Sequence, residues 1–160
     1  MVWNPRDYAA NSAAQLAWAR ELMAKLNLRG DERVLDVGCG DGKITAELAR
    51  ALPRGSIVGV DGSAEMLRFA RAAFPRSEMA NLRFQFMDAR ELRFAQSFDI
   101  LFSNAALHWV EDHPAFLRGA AASLKPGGRL VVSCGGKGNA QDVMAAVRAT
   151  LRLKPFRPFF

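Results

Sequence analysis

Three carboxylates and one carboxamide sit where strand-like runs of this chain give way to turns: Asp36, Asp61, Asp88 and Asn104. In a parallel sheet such positions face one rim, so their side chains converge on a shared ligand. Asp61, ending the second run, is suited to accept hydrogen bonds from both hydroxyls of a ribose. Asp88, ending the third, is suited to meet the exocyclic amine of an adenine. Beside Asp36 lies Gly38-Cys39-Gly40-Asp41-Gly42, whose glycines let the backbone turn sharply and leave room for a ligand to approach. Plainer roles exist for each residue. Asp36 and Asp88 can cap backbone amides, Asp61-Gly62 is a common turn dipeptide, and Asn104 can satisfy its own loop. Four coincident accidents are less economical than one nucleoside-binding rim.

The elements that must position these residues follow from the periodicity. Strand-like runs are expected at 33–37, 56–60, 82–87, 98–102 and 129–133, the last introduced by Pro126-Gly127-Gly128. Helical patterns lie at about 11–26, 42–51, 63–74, 112–123 and 139–152. Ser63 starts the third of these, with Glu65 favourable in its first turn. Strands alternating with helices give parallel pairing and right-handed crossovers. The expected fold is therefore a three-layer α/β/α sandwich with parallel strand order 3-2-1-4-5. An aromatic arm, Trp3-Asn4-Pro5 with Tyr8, precedes the first helix as a tail or a lid.

A dinucleotide is the rival ligand, which would make the chain an NAD(P)-dependent oxidoreductase domain. Its fingerprint is G-x-G-x-x-G, with a pyrophosphate on the helix N-terminus. Here the turn is G-x-G-x-G, and Asp41 is expected to put negative charge where the pyrophosphate would sit. A nucleoside carrying a sulfonium or ammonium would not be repelled.

The 160 residues suffice for one domain with a sizeable core. No apolar run approaches the roughly 18–20 residues that span a bilayer. The first residues lack a signal-peptide pattern, so a cytoplasmic location without membrane attachment is expected. Cys39 and Cys134 have no metal-type spacing and read as reduced structural thiols, so no metal is expected. The net charge of +6 is uneven: residues 1–113 carry 14 Lys/Arg and 15 Asp/Glu, residues 114–160 carry 8 Lys/Arg and Asp142 alone. No basic stripe with interleaved aromatics suggests nucleic-acid binding.

The chain resembles the class I S-adenosylmethionine-dependent methyltransferases. The resemblance rests on Val34-Leu35-Asp36-Val37-Gly38-Cys39-Gly40-Asp41-Gly42, Val60-Asp61-Gly62-Ser63-Ala64-Glu65-Met66-Leu67, Phe98-Asp99-Ile100-Leu101-Phe102-Ser103-Asn104, and Leu124-Lys125-Pro126-Gly127-Gly128-Arg129-Leu130, in order and spacing. Within that family, Trp3-Asn4-Pro5 with Tyr8 and Asn104-Ala105-Ala106-Leu107-His108-Trp109 look most like the trans-aconitate and malonyl-carrier-protein methyltransferases. The resemblance implies S-adenosyl-L-methionine as cofactor. Gly38 and Gly40 would flank its methionine portion, with Asp36 and Asn104 near it. Asp61-Gly62 would hold the ribose, and Met66, Asp88 and Ala89 would border the adenine.

Methyl transfer from a sulfonium needs alignment and water exclusion more than a catalytic constellation. The Asn/Asp-Pro-Pro-Tyr pattern of amino-group methyltransferases is absent, since Asn104-Ala105-Ala106-Leu107 stands there. A small-molecule acceptor is expected, with a carboxylate as the specific choice. His108 is the nearby candidate base or loop-orienting residue. Trp109 reads as core. The family's two further strands do not follow the fifth, and the chain reads on to Pro155-Phe156-Arg157-Pro158-Phe159-Phe160. The fifth strand would then be an unpaired edge. The expectation is a C-terminally truncated single domain, the other explanation being an edge covered in a homodimer. A cofactor-binding module without activity of its own is the non-enzyme alternative.

Overall fold

A computed structural model describes residues 13–153. The Trp3–Tyr8 arm, the first two positions of the helical pattern expected at 11–26 and the phenylalanine-rich end lie outside the described residues. Helix α1 spans Ala13–Ala24 and ends before Asn27 and Gly30, which both take the left-handed backbone (φ 47° and 88°). Then follow β1 (Arg33–Val37), α2 (Lys43–Arg50), β2 (Ser56–Asp61), α3 (Ala64–Ala73) and β3 (Leu82–Phe86). A 3-10 turn at Ala89–Glu91 leads to β4 (Phe98–Asn104), and a second at Leu107–Trp109 leads to α4 (His113–Ser123). Strand β5 (Leu124–Ser133) and α5 (Gln141–Leu151) complete the described chain.

The five strands form one parallel sheet in the expected order, β3-β2-β1-β4-β5. Side chains alternate across it. Val34, Ile100 and Phe102 face one layer with Leu26, Leu48 and Leu52. Leu35, Val37 and Leu101 face the other with Leu107, Phe116 and Ala120. Full burial of each large aliphatic or aromatic side chain stabilises by roughly 1.5–3 kcal/mol, which explains why β1 reads as an almost continuous apolar run. The one polar residue on the first layer's side of β1 is Asp36.

Two strand boundaries differ from the expectation by more than one residue. Strand β4 runs through Asn104, because β5 pairs with it as far as Asn104↔Ser133; Asn104 therefore ends a strand rather than sitting in a loop. Strand β5 begins at Leu124, directly after α4, and takes in Pro126-Gly127-Gly128 as an irregularity rather than a separating turn. The register jumps from Phe98↔Leu124 to Ile100↔Arg129, so the extra residues bulge from the ladder. Helix α5 buries none of its residues, and Val143, Met144 and Val147 are exposed.

Candidate functional site

The glycine turn is held mostly by its own amides. Gly38 and Cys39 N–H donate to the Val60 carbonyl (2.8 and 3.1 Å), and Gly42 N–H donates to the Cys39 carbonyl (3.0 Å). Gly40 N–H donates to Asp61 Oδ2 (2.9 Å) and Lys43 N–H to Asp41 Oδ1 (3.2 Å). Gly38 has φ 79°, and a Cβ there would fall inside the Cβ of Ala106. Gly42 has φ 80°, and a Cβ would meet the Phe84 ring at 2.6 Å and Ala70 at 2.9 Å. Both positions therefore require glycine for backbone and for space.

Asp61 caps the second turn as well as bracing the first. Its Oδ1 accepts from Ser63 N–H (2.8 Å) while Oδ2 accepts from Gly40. A carboxylate offers about four lone-pair sites, so each oxygen keeps capacity for a further donor. Ser63 in turn caps α3, accepting from Met66 N–H at 3.3 Å.

These turns open on a cleft of about 1230 Å3 at the carboxyl ends of the strands. Gly38, Gly40, Asp61, Gly62, Met66, Asp88, Ala89 and His108 all line it. Asp36 and Asn104 are not in that lining. Asp36 is buried beneath the turn, where its Oδ2 accepts from the Thr45 hydroxyl at 2.7 Å. Burial raises its pKa to about 7, opposed by the Thr45 hydrogen bond and aided by the charge of Asp61. Asn104 is buried at the end of β4. The Cys39 thiol is pushed up by burial first and then by the charges of Asp36 and Asp61.

Asp88 lines the cleft and also caps. It accepts from Arg90 N–H (2.8 Å) and binds the Arg90 guanidinium through both oxygens, Nη2 to Oδ2 at 2.6 Å. The hydrogen bond from Arg90 holds this carboxyl below the usual range. Asp41 departs from expectation. It is buried, absent from the lining, and its Oδ2 lies 3.3 Å from Lys43 Nζ. Its charge is turned toward Lys43 rather than into the cleft, which weakens it as an obstacle to a ligand's phosphate. The physical obstacle to a pyrophosphate is instead that the amides of Gly38, Cys39, Gly40, Gly42 and Lys43 already have acceptors.

Trp109 is not core: it is 59% exposed and lines the cleft, with its ring centroid 5.0 Å from that of His108. The cause is the three-residue period of the 3-10 turn, which buries Leu107 and leaves the next two side chains outside. Trp18 on α1 lines the same cleft and is 56% exposed. Ser133, the last residue of β5, and Cys134 to Gly136 after it also belong to the lining. Their signal in the sequence is the pair Gly135-Gly136, since the fifth strand end carries no acid or carboxamide of the kind that marks the other four. Among the described residues, no cluster of three or more His, Cys, Asp or Glu is placed to hold a metal. No described helix is long and apolar enough to cross a membrane.

A doubly wound parallel sheet with a glycine turn, an acid ending β2 and a cleft at the strand tips defines a nucleoside-binding α/β domain. Residues 28–155 match the family described as "Methyltransferase domain", and the chain belongs to that family. It is similar to a trans-aconitate 2-methyltransferase of Deinococcus radiodurans, 44% identical over 132 residues, covering 82% of this chain and 49% of the relative. It is 37% identical to one from Azoarcus over 131 residues, covering 82% and 50%. Among solved structures, an S-adenosylmethionine-dependent methyltransferase from Mesorhizobium loti is 35% identical with TM-score 0.62, covering 72% of this chain and 52% of that one. The chain spans about half the length of the curated relatives it matches.

Proposed function

We propose that this chain is the S-adenosylmethionine-binding portion of a methyltransferase that acts on a small-molecule acid. The observation that carries the reading is the double use of Asp61. It braces the glycine turn and keeps lone pairs free at a cleft-lining position, while the turn's amides are already engaged. Such a rim accepts ribose hydroxyls and offers a pyrophosphate few donors. Asp88, Ala89 and Met66 supply a polar and an apolar border suited to adenine, and Gly38 and Gly40 the close approach for the methionine part. Asp36, under the turn, supplies negative potential toward a cationic ligand once ionised. Bound S-adenosylmethionine would supply a methyl group on an already activated sulfonium. The chain's residues then need only align the acceptor and exclude water.

The names of the similar trans-aconitate methyltransferases support a carboxylate acceptor. An acceptor of that kind is anionic already and needs no base, which fits a cleft whose described lining has His108 as its only imidazole. Calorimetry tests the cofactor reading. The 160-residue chain is expected to bind S-adenosylhomocysteine and to give no heat with NAD. NAD binding without a response to the homocysteine compound would refute it. Conversion of trans-aconitate to its methyl ester tests the acceptor reading.

A further inference from the structure

The loop after β4 is held more firmly than its exposed side chains would need. Ala105 adopts φ 53°, a left-handed conformation unfavourable for a residue with a Cβ. Its N–H donates to the Ser133 carbonyl at 2.7 Å. Ala106 is pressed against Gly38, Leu107 is buried, and His113 Nε2 lies 2.9 Å from the Leu107 carbonyl. Trp109 N–H and Val110 N–H close the turn on Ala106 and Leu107 at 3.0 and 3.1 Å. This fixed loop presents the His108 and Trp109 rings to the cleft. The period of the turn leaves the indole more than half exposed on the cleft wall, apolar area that a ligand there can cover.

We propose that Trp109 and His108 form the acceptor platform, a reading that rests on the function proposed above. The cleft is larger than the roughly 300–1,000 Å3 of a usual small-molecule site, so there is space for a second molecule beside a nucleoside. The lining residues assigned to the nucleoside lie after β1, β2 and β3. Trp109 and His108 come from the loop after β4, whose Ala106 contacts Gly38 at the methionine end. The indole takes the flat, conjugated body of an unsaturated acid. The His108 imidazole donates a hydrogen bond to the carboxylate that receives the methyl group, and orients it without removing a proton. One carboxylate oxygen forms the new O–C bond as the S–C bond breaks. The electron pair of that bond stays on sulfur, giving a neutral thioether and an ester with no proton released. Glu111 also lines this wall, near the Arg90 guanidinium that Asp88 already holds.

The test titrates the whole 160-residue chain, saturated with S-adenosylhomocysteine, with trans-aconitate and with its saturated counterpart, tricarballylate. Tighter binding of the unsaturated acid is expected, by roughly three- to tenfold for an aromatic contact. Trp109→Leu should bring the two acids to equal affinity while affinity for the homocysteine compound stays the same. His108→Ala should weaken both acids alike by roughly tenfold or more, as loss of a hydrogen bond to a charged group implies, and His108→Gln should restore part of it. Equal affinities in the parent chain, a preference that survives in Trp109→Leu, or no acid binding while the homocysteine compound binds would overturn the platform. Failure to bind the homocysteine compound would overturn the cofactor reading beneath it, and the platform with it.

Discussion

The amide of Gly40 donates to Asp61 Oδ2 at 2.9 Å, so the turn after β1 is tied to the acid that ends β2, 21 residues away. Asp61→Ala removes both this brace and the proposed ribose acceptor. S-adenosylhomocysteine binding should weaken by about 1–3 kcal/mol, the range for charge-assisted hydrogen bonds lost from a site. Calorimetry measures it, and unchanged affinity would remove Asp61 from the site.

Gly38→Ala should destabilise the fold by about 2–4 kcal/mol, because it combines a left-handed backbone with overpacking against Ala106. Adding Ala106→Gly clears the space but not the backbone strain, so the double variant should recover only part of the loss. Urea unfolding of the three proteins decides this. Full recovery would show that the clash alone matters.

Asp36 makes stability depend on pH. Its carboxyl titrates near 7 in the fold, against an ordinary 3.8. The unfolded chain therefore releases this proton first and binds fewer protons between those values. Stability is fully present below the ordinary value and is lost as pH rises through about 7. Asp36→Asn should flatten that slope and stabilise the protein at pH 8, by at most on the order of 4 kcal/mol for a shift of about three pH units. Urea midpoints at pH 5 and pH 8 for both proteins provide the check.

Ala105→Gly should leave stability unchanged or raise it by up to about 1 kcal/mol, since glycine takes a positive φ freely. The same freedom loosens the loop that carries His108 and Trp109. Affinity for trans-aconitate should therefore fall while melting temperature does not. A parallel rise in both would argue against a positioning role for the strain.

The parts of the fold legible in the sequence are those governed by short-range backbone rules. The run Val34–Val37 followed by three glycines specifies a buried strand and a tight turn, and both are present. Asp61 and Ser63 are legible because each caps a turn within its own segment. The pairing of Asp41 with Lys43 is a rotamer choice that spacing does not reveal. The extension of β4 to Asn104 depends on β5, a partner 29 residues on, so no local pattern marks it. The exposure of Trp109 is not legible because apolar type says nothing about the phase of a three-residue turn. Trp18 reaches the cleft only through the packing of α1 on the sheet, which no local pattern records.

The two apolar layers of the sheet share no side chain: Leu26, Leu48 and Phe102 belong to one, Leu107, Leu101 and Phe116 to the other. The helix after the glycine turn is rooted in the first layer, and the loop bearing Trp109 in the second. The two sides meet at one point, where Ala106 fills the space that a Cβ at Gly38 would need. Under the function proposed above, a lineage carrying this architecture can rewrite the Leu107 side to suit another methyl recipient as long as a small residue stays at that junction.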